Sequence, residues 1–439
     1  MQFLPVIGLE VHAQIKSSAK LFSAAPSAIS RLTGAPNANV ALFDAAFPGS
    51  LPTLNRECVQ LALRAAIALD SDIHHRSAFD RKHYFYPDLP HGYQITQHFN
   101  PFATGGYLDL TKYDGVDTEK RIRIHQIQIE QDSGKLLPSN TSPANVLVDL
   151  NRAGLGVLEI VTRPDFSSAS EVLAFMRKSQ RLLWHIGVAS SDMDEGAWRC
   201  DVNISVSTKS QKSDLWKEGV RTELKHVSKF NVVRTAIEFE IARQISILKS
   251  GREVLQETMG LDENGHTIRL RGKEDAPDYR YMPEPDLPAL IVTDRLINQV
   301  AKLMPESLDA RRDRLEKDYG LNMFSIGVLM DEPGAVEYYE ALANCPLSIH
   351  EFGALIDLVE DGKISGIRGK DVLAIMFESA VSEQSDKRLS ALEIARINDW
   401  LIENDSEEHY LDIIVDELLA KHEDLVNVPE LYYYYFTDS

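Results

Sequence analysis

Glu10, His12 and Gln14 alternate with Leu9, Val11, Ala13 and Ile15 in a short run near the start of the chain. A second run repeats the arrangement, with Arg199, Asp201, Asn203 and Ser205 set between Cys200, Val202, Ile204 and Val206. Side chains of a strand point alternately to its two faces, so each run predicts a strand with one apolar face and one face of carboxylates, imidazole, amides and guanidinium. Those are the groups that bind metal ions and phosphates, not the usual Lys, Thr and Glu of a solvated strand. Three further segments extend the set. Gln128 and Glu130 share a face within Ile127–Gln131, with Gly134 expected to mark the following turn. Glu159 stands alone in the apolar run Val157–Val161, where an unpaired carboxylate is costly to bury. Glu223 and Lys225 lie side by side just before a helix.

Placed in one sheet, these strands would form an active-site floor of Glu10, Glu130, Glu159, Asp201 and Glu223 with the imidazole of His12. Like charges this close repel unless divalent cations sit between them. Hard oxygen ligands, one imidazole and no thiolate favour Mg²⁺ or Mn²⁺ over structural zinc. With Arg199 and Lys225 beside them, the set points to phosphoryl transfer from a nucleotide, in which positioning and charge neutralisation carry catalysis. No GxxxxGK[ST] run occurs, which excludes a P-loop. Metal-dependent hydrolysis fits the same set.

The elements that must hold these strands follow from the rest of the chain. Its 439 residues predict two or three domains. There is no apolar run of the roughly 18 residues that a membrane span needs. Met1 lies close to the first strand, leaving no room for a transit peptide, so the protein stays where it is made or a presequence has been removed. Cys58, Cys200 and Cys345 are far apart, which suits a reducing compartment. The net charge of −20 argues against nonspecific binding to DNA or RNA, though not against a local RNA-binding patch.

Residues 1–290 read as an α+β domain: strands and long loops without a regular βαβ rhythm. Asn55 is expected to cap a helix through Cys58, Leu61, Ala65 and Leu69. Ser168 and Glu171 form a capping box for a second helix. Phe230, Val233, Ile237, Ile241 and Leu248 line a third. Phe79–Gln94 is dense in Tyr, Pro and cations. It suits either a nucleotide or RNA contact or a stiff connection whose rings pack on the core. For the similar Asp278–Asp286 the expectation is core packing. Pro283–Pro288 suggests a domain boundary. Residues 291–400 read as helical, with Leu296, Val300, Leu303 and Met304 on one face. Residues 401–439 carry eleven acidic residues against one lysine, a composition that repels phosphates.

Several of these runs resemble the signature stretches of one family: Ile7–His12, Phe79–Asp88, Asp149–Gly154, Arg199–Ser205, Thr222–Lys225 and Asp278–Tyr281. The family is GatB, the B-type component of glutamyl-tRNA(Gln) amidotransferase, and the match runs in order through most of residues 1–290. The resemblance implies ATP- and Mg²⁺-dependent phosphorylation of the glutamyl side chain carried by tRNA(Gln). Ammonia released by the A subunit, a glutaminase, then displaces the phosphate, and a small C subunit bridges the two. It implies a catalytic fold like that of glutamine synthetase and guanidino kinases. Glu10, His12 and Glu130 fall at its metal positions, with Glu159, Asp201, Glu223 and Lys225 as our extension of the catalytic set. Arg199, Lys225 and Arg280 are the cations expected to meet the nucleotide.

The chain also departs from the family. Ser23, Ala25, Ala41 and Asp44 stand where many bacterial members carry four zinc cysteines. A zinc-free protein of the mitochondrial type, working in the matrix, is therefore expected. Gln128 and Gln131 replace a His and a Glu of the usual motif. Leu355–Glu378 resembles the helical region that leads to the tail domain, and Ile413–Glu417 an early tail helix. A tail shortened after that point would weaken independent tRNA binding. A noncatalytic assembly subunit is thus an alternative reading, and a ligase of free glutamate is a third.

Overall fold

A computed structural model describes residues 2–27, 35–138, 145–189, 197–209, 215–227, 230–262, 265–272, 278–332, 334–343, 347–381 and 389–402. The acidic tail, Ile413–Glu417 and Cys345 lie outside these residues. Contacts divide the chain into two compact units, Met1–Ile326 and Gly327–Ser439.

The first unit is built on one large mixed sheet. Its main path uses β1 (Gln2–Gln14), β2 (Asp72–Ile73), β3 (Ala103–Thr104), β4 (Lys120–Gln131), β5 (Gly156–Thr162), β6 (Trp198–Lys209), β7 (Thr222–Val227), β8 (Glu257–Leu261) and β9 (Thr267–Gly272). Their spatial order is β9-β8-β7-β6-β1-β5-β4-β3-β2. Every pairing on this path is antiparallel except β7 with β8, in keeping with the irregular strand–helix rhythm of the sequence. The period-2 pattern of β1 comes out as expected: Leu9, Val11, Ala13 and Ile15 are all at most 1% exposed. Burying a side chain of the Leu, Val or Ile type contributes about 1.5–3 kcal/mol, enough over Leu9, Val11 and Ile15 to fix which face of this segment turns inward.

Helices cover that apolar face. In α1 (Arg56–Ala68) the Asn55 side chain accepts from the Glu57 amide, capping the helix where expected. In α2 (Ala169–His185) Ser168 accepts from the Glu171 amide. The capping box is only half formed, because the Glu171 carboxylate takes the amide of Ser167 and the ammonium of Lys120. Val11 and Ile160 meet Phe175, Leu182 and Leu183 of α2 around one small apolar void. The third expected helix, α3 (Phe230–Lys249), packs on α2, β6 and β7.

The two Tyr-rich segments meet in one small ladder. Asp80–His83 pairs with Tyr93–Thr96 on one side and with Met282–Pro283 on the other. Pro283 therefore lies inside the first unit. Gly134 ends the turn after β4 in a crowded spot: a Cβ there would stand 2.9 Å from the Asp149 carbonyl and 3.0 Å from that of Asp88.

The segment after residue 291 is helical as expected, with α4 (Asp294–Ala301), α5 (Leu308–Tyr319), α6 (Met323–Asp331) and α7 (Ala335–Ala343). Helix α4 packs on α1, and α5 reaches Lys178 of α2. Val300 is buried, but α4 ends at Ala301 and Leu303 is exposed, which corrects the expected four-residue face. The second unit packs α8 (Ile349–Glu360), α9 (Gly366–Val381) and α10 (Ala391–Ile397) around Leu355, Leu358, Val372, Met376 and Ile394. Capping boxes at Ser348/Glu351 and Ser390/Glu393 start α8 and α10.

Candidate active site

Register sets the functional residues side by side. Glu10 of β1 faces Asp201 of β6 on one side, and His12 faces Arg199 there and Glu159 of β5 on the other. Glu159 in turn faces Gln128 of β4, and Val157 faces Glu130. Like charges directly opposite each other weaken a sheet unless something compensates them. Asp201 sits at an irregularity in the pairing of β6 with β7, the kind of break that re-aims a side chain.

Two triads result. His12, Glu130 and Glu159 offer ligand atoms all within 4.8 Å of one another, and so do Glu10, Asp201 and Glu223. In the first triad His12 Nε2 lies 3.6 Å from Glu130 Oε1, while His12 Nδ1 is buried without a hydrogen-bond partner. Burial, and then the neighbouring Glu130 charge, raise the Glu159 pKa well above the usual carboxylate value. In the second triad Lys225 Nζ lies 2.8 Å from Glu223 and 3.1 Å from Asp201. Burial opposes the Lys225 charge, but the two carboxylates outweigh it and hold its pKa above the ordinary value. Asn203 Nδ2 donates to Glu10 Oε1 at 2.9 Å.

A cavity of about 480 Å³ opens over this floor. Glu10, Glu159, Glu223 and Lys225 line it, as does Gln128, which accepts from Thr96. His12, Glu130 and Asp201 are not among its lining residues, and neither is Arg199. Its guanidinium is held by both oxygens of Asp132, at 2.8 and 3.2 Å. Arg280 stands apart as well. Its side chain is 81% exposed, its partner is Asp278 at 3.6 Å, and it is not among the lining residues.

The cavity also holds residues to which the strand pattern assigned no role. Lys82, from the short Asp80–His83 strand, lines it together with Tyr279, Tyr281 and His98. Burial opposes the Lys82 charge, yet Glu130, Tyr281 and Glu159 leave its pKa above the ordinary value. Its ammonium stands 4.9 Å from the Tyr279 ring centre, and His98 stacks on Tyr281 at 3.8 Å and 8°. The tyrosines of Asp278–Asp286 thus face the cavity, correcting the expectation of core packing. A four-residue strand flanked by Pro and Tyr shows too little alternation to reveal Lys82. Only the ladder joining the two segments brings these rings over the floor.

Among Ser23, Ala25, Ala41 and Asp44, where the resemblance implies no zinc, Asp44 is the hub. It accepts from the Ala41 amide at 2.9 Å and from Ser23 Oγ at 3.1 Å, and Lys20 Nζ lies 3.1 Å away in full burial. Ala25 offers no side-chain donor atom.

Comparison with known proteins decides the family. The profile of the GatB/GatE catalytic domain matches residues 5–298. The chain belongs to this family. It is 38% identical over 458 residues to the B subunit of the mitochondrial glutamyl-tRNA(Gln) amidotransferase of Naegleria gruberi, spanning 96% of this chain and 86% of that protein. It is 36% identical to the B subunit of the aspartyl/glutamyl-tRNA(Asn/Gln) amidotransferase of Rickettsia bellii, over 96% of this chain and 89% of the relative. Against the counterpart of the same name from Rickettsia prowazekii the identity is 37%, over 95% and 88%. As a family member, the chain carries its two triads within the stretch matched by the catalytic-domain profile.

Proposed function

We propose that this chain is the subunit of a tRNA-dependent amidotransferase that activates the glutamyl side chain of Glu-tRNA(Gln). The observation that carries the reading is a pair of carboxylate-bearing triads side by side in one sheet that reach one cavity through Glu10, Glu159 and Glu223, within the family's catalytic domain. An assembling subunit without catalysis has no need of such charges, which weaken its sheet.

In this reading residues 1–290 carry the catalysis, 291–400 form a helical region and 401–439 belong to the tail. The acidic-faced sheet is the arrangement expected of a site similar to glutamine synthetase and guanidino kinases. The donor sets fit Mg²⁺: five carboxylates and one imidazole, no thiolate, and an orphaned His12 Nδ1. His12, Glu130 and Glu159 would hold one ion, and Glu10, Asp201 and Glu223 a second. When bound, Mg²⁺ neutralises phosphate charge and aligns the γ-phosphoryl group. Lys82 and Lys225 supply fixed positive charge at the floor. Lys82 steadies the glutamyl carboxylate as its oxygen attacks phosphorus, and Lys225 meets charge developing on the departing ADP. Ammonia then attacks the acyl phosphate carbon, phosphate leaves, and the amide forms.

Zinc at Ser23, Ala25, Ala41 and Asp44 is not part of the proposal, since the one carboxylate there is already held by Lys20. The partners are a glutaminase A subunit, a small bridging C subunit and Glu-tRNA(Gln). Work in the mitochondrial matrix is supported by the mitochondrial relative. No described helix is long and apolar enough to cross a membrane.

The test is ATP- and glutamine-dependent conversion of Glu-tRNA(Gln) to Gln-tRNA(Gln) by the purified glutaminase and bridging subunits, with and without this chain. Conversion that requires the chain is the expected result. Glutamine hydrolysis without Gln-tRNA formation would favour a scaffold instead.

A further inference from the structure

The cavity has two unlike walls. At the β4 side stand Lys82, His98, Tyr279 and Tyr281, beside the His12 triad. At the β9 side stand Arg221 and Arg271, beside the Glu10 triad. The other cations of the cavity are matched: Lys225 lies between Asp201 and Glu223, and Lys82 sits in the field of Glu130 and Glu159, while the lining Glu257 is taken by Arg269 at 2.8 Å. Among the described residues neither Arg221 nor Arg271 makes an ion pair.

Arg271 is nonetheless placed by register. Arg271 of β9 faces Thr258 of β8, Thr258 faces Glu223 of β7, and Glu223 faces Asn203 of β6. Hydrogen bonds follow the same row. Arg271 Nε donates to Thr258 Oγ1 at 3.4 Å, Thr258 Oγ1 donates to Glu223 Oε2 at 3.2 Å, and Asn203 Nδ2 reaches Glu10. The row ties a guanidinium with free N–H donors to the triad on the far side of the floor from Lys82. A guanidinium fork matches two phosphate oxygens at once, and an anion held there would lie beside the Glu10 triad.

We infer that Arg271, seconded by Arg221, grips the non-transferred phosphates of the nucleotide. The nucleotide then occupies the β9 side of the cavity and the glutamyl carboxylate the Lys82 side, with the γ-phosphoryl group over the floor between them. The inference rests on the kinase reading above and adds a direction to it.

The experiment uses the assembled complex and follows Glu-tRNA(Gln)-dependent ADP release, with ATP and aminoacyl-tRNA varied separately. Arg271→Gln should raise the KM for ATP by about ten- to a hundredfold, as expected for loss of charge-assisted hydrogen bonds. The KM for Glu-tRNA(Gln) should stay within about twofold, and Arg271→Lys should recover part of the loss. ADP affinity, measured directly by equilibrium dialysis, should fall in parallel. Arg221→Gln, at an exposed position, should shift the KM for ATP in the same direction by less, and serves if Arg271→Gln does not fold. An unchanged KM for ATP in both variants would overturn the assignment. So would a rise confined to the KM for Glu-tRNA(Gln), which would make these arginines an RNA-phosphate contact. A wild-type complex that releases no ADP in response to Glu-tRNA(Gln) would instead defeat the kinase reading itself.

Discussion

Two charged clusters in the first unit are built on opposite terms. Around Lys178, the ammonium meets Asp114 at 3.2 Å, Asp309 at 2.8 Å and the Asp109 carbonyl at 2.8 Å, while Arg312 closes on Asp309 at 2.9 Å and on Asp114 at 3.6 Å. Two cations answer two carboxylates, and Lys178 and Arg312 are almost wholly buried. On the floor, by contrast, Glu10, Glu130 and Glu159 crowd together with no ion pair to Lys or Arg among the described residues, and His12 leaves a buried nitrogen unbonded. A compensated cluster holds a fold together; an uncompensated one is kept for a ligand that brings the missing charge.

The sharpest way to break this contrast is to damage each cluster and compare what is lost. Glu10→Gln keeps the shape and the bond to Asn203, so it should cut transamidation by about 10²-fold or more while leaving thermal stability undiminished. Lys178→Met strands the buried Asp114 carboxylate and takes a partner from the half-exposed Asp309, and should cost about 3 kcal/mol of unfolding free energy. Its activity per folded molecule should stay near wild type. Stability measured by urea titration and activity measured by Gln-tRNA formation separate the two. Equal losses in both readouts for both variants would erase the distinction.

The next effect is in pH. The folded chain holds the Glu159 proton to higher pH than the unfolded chain does. In chelator, stability should therefore fall as pH rises from the ordinary carboxylate range through the raised one. Glu159→Gln should flatten that slope and weaken divalent-cation binding, as read by titration calorimetry. A slope unchanged in the variant would mean the charge is compensated after all.

The smallest effect concerns His91, which belongs to neither extreme. Its Nε2 donates to the Phe43 carbonyl, and burial lowers its pKa below the ordinary histidine value. As pH falls, the unfolded chain takes up the proton first, so stability drops below about pH 6.5. His91→Asn should lose about 1 kcal/mol at pH 7.5 and reduce the slope between pH 7 and 5 in urea titrations.

How much of this was legible beforehand varies with the element. The alternation of β1 and β6 revealed both faces, because long strands with one buried side cannot slip by a residue without exposing the core. Helices α1 and α2 announced themselves through Asn55 and Ser168. Lys82 and the tyrosine wall were hidden, since their ladder joins segments about two hundred residues apart. Arg271 was hidden for another reason. In β9 the residues flanking Arg269, Ile268 and Leu270, are 45% and 59% exposed, so polarity does not mark the inner face, and only register with Thr258 and Glu223 places the guanidinium. Arg199 and Arg280 were chosen by residue type, but one is held by Asp132 and the other lies outside the cavity lining.

If the floor exists to transfer phosphate to a glutamyl carboxylate, the acyl phosphate itself should be trappable. The experiment incubates the assembled complex with ATP, Mg²⁺ and Glu-tRNA(Gln), without any amide donor, and captures the product with hydroxylamine. The wild type should yield ADP and a tRNA-borne γ-glutamyl hydroxamate, and Glu10→Gln should yield neither. Hydroxamate formed at the wild-type level by Glu10→Gln would contradict this role for the floor.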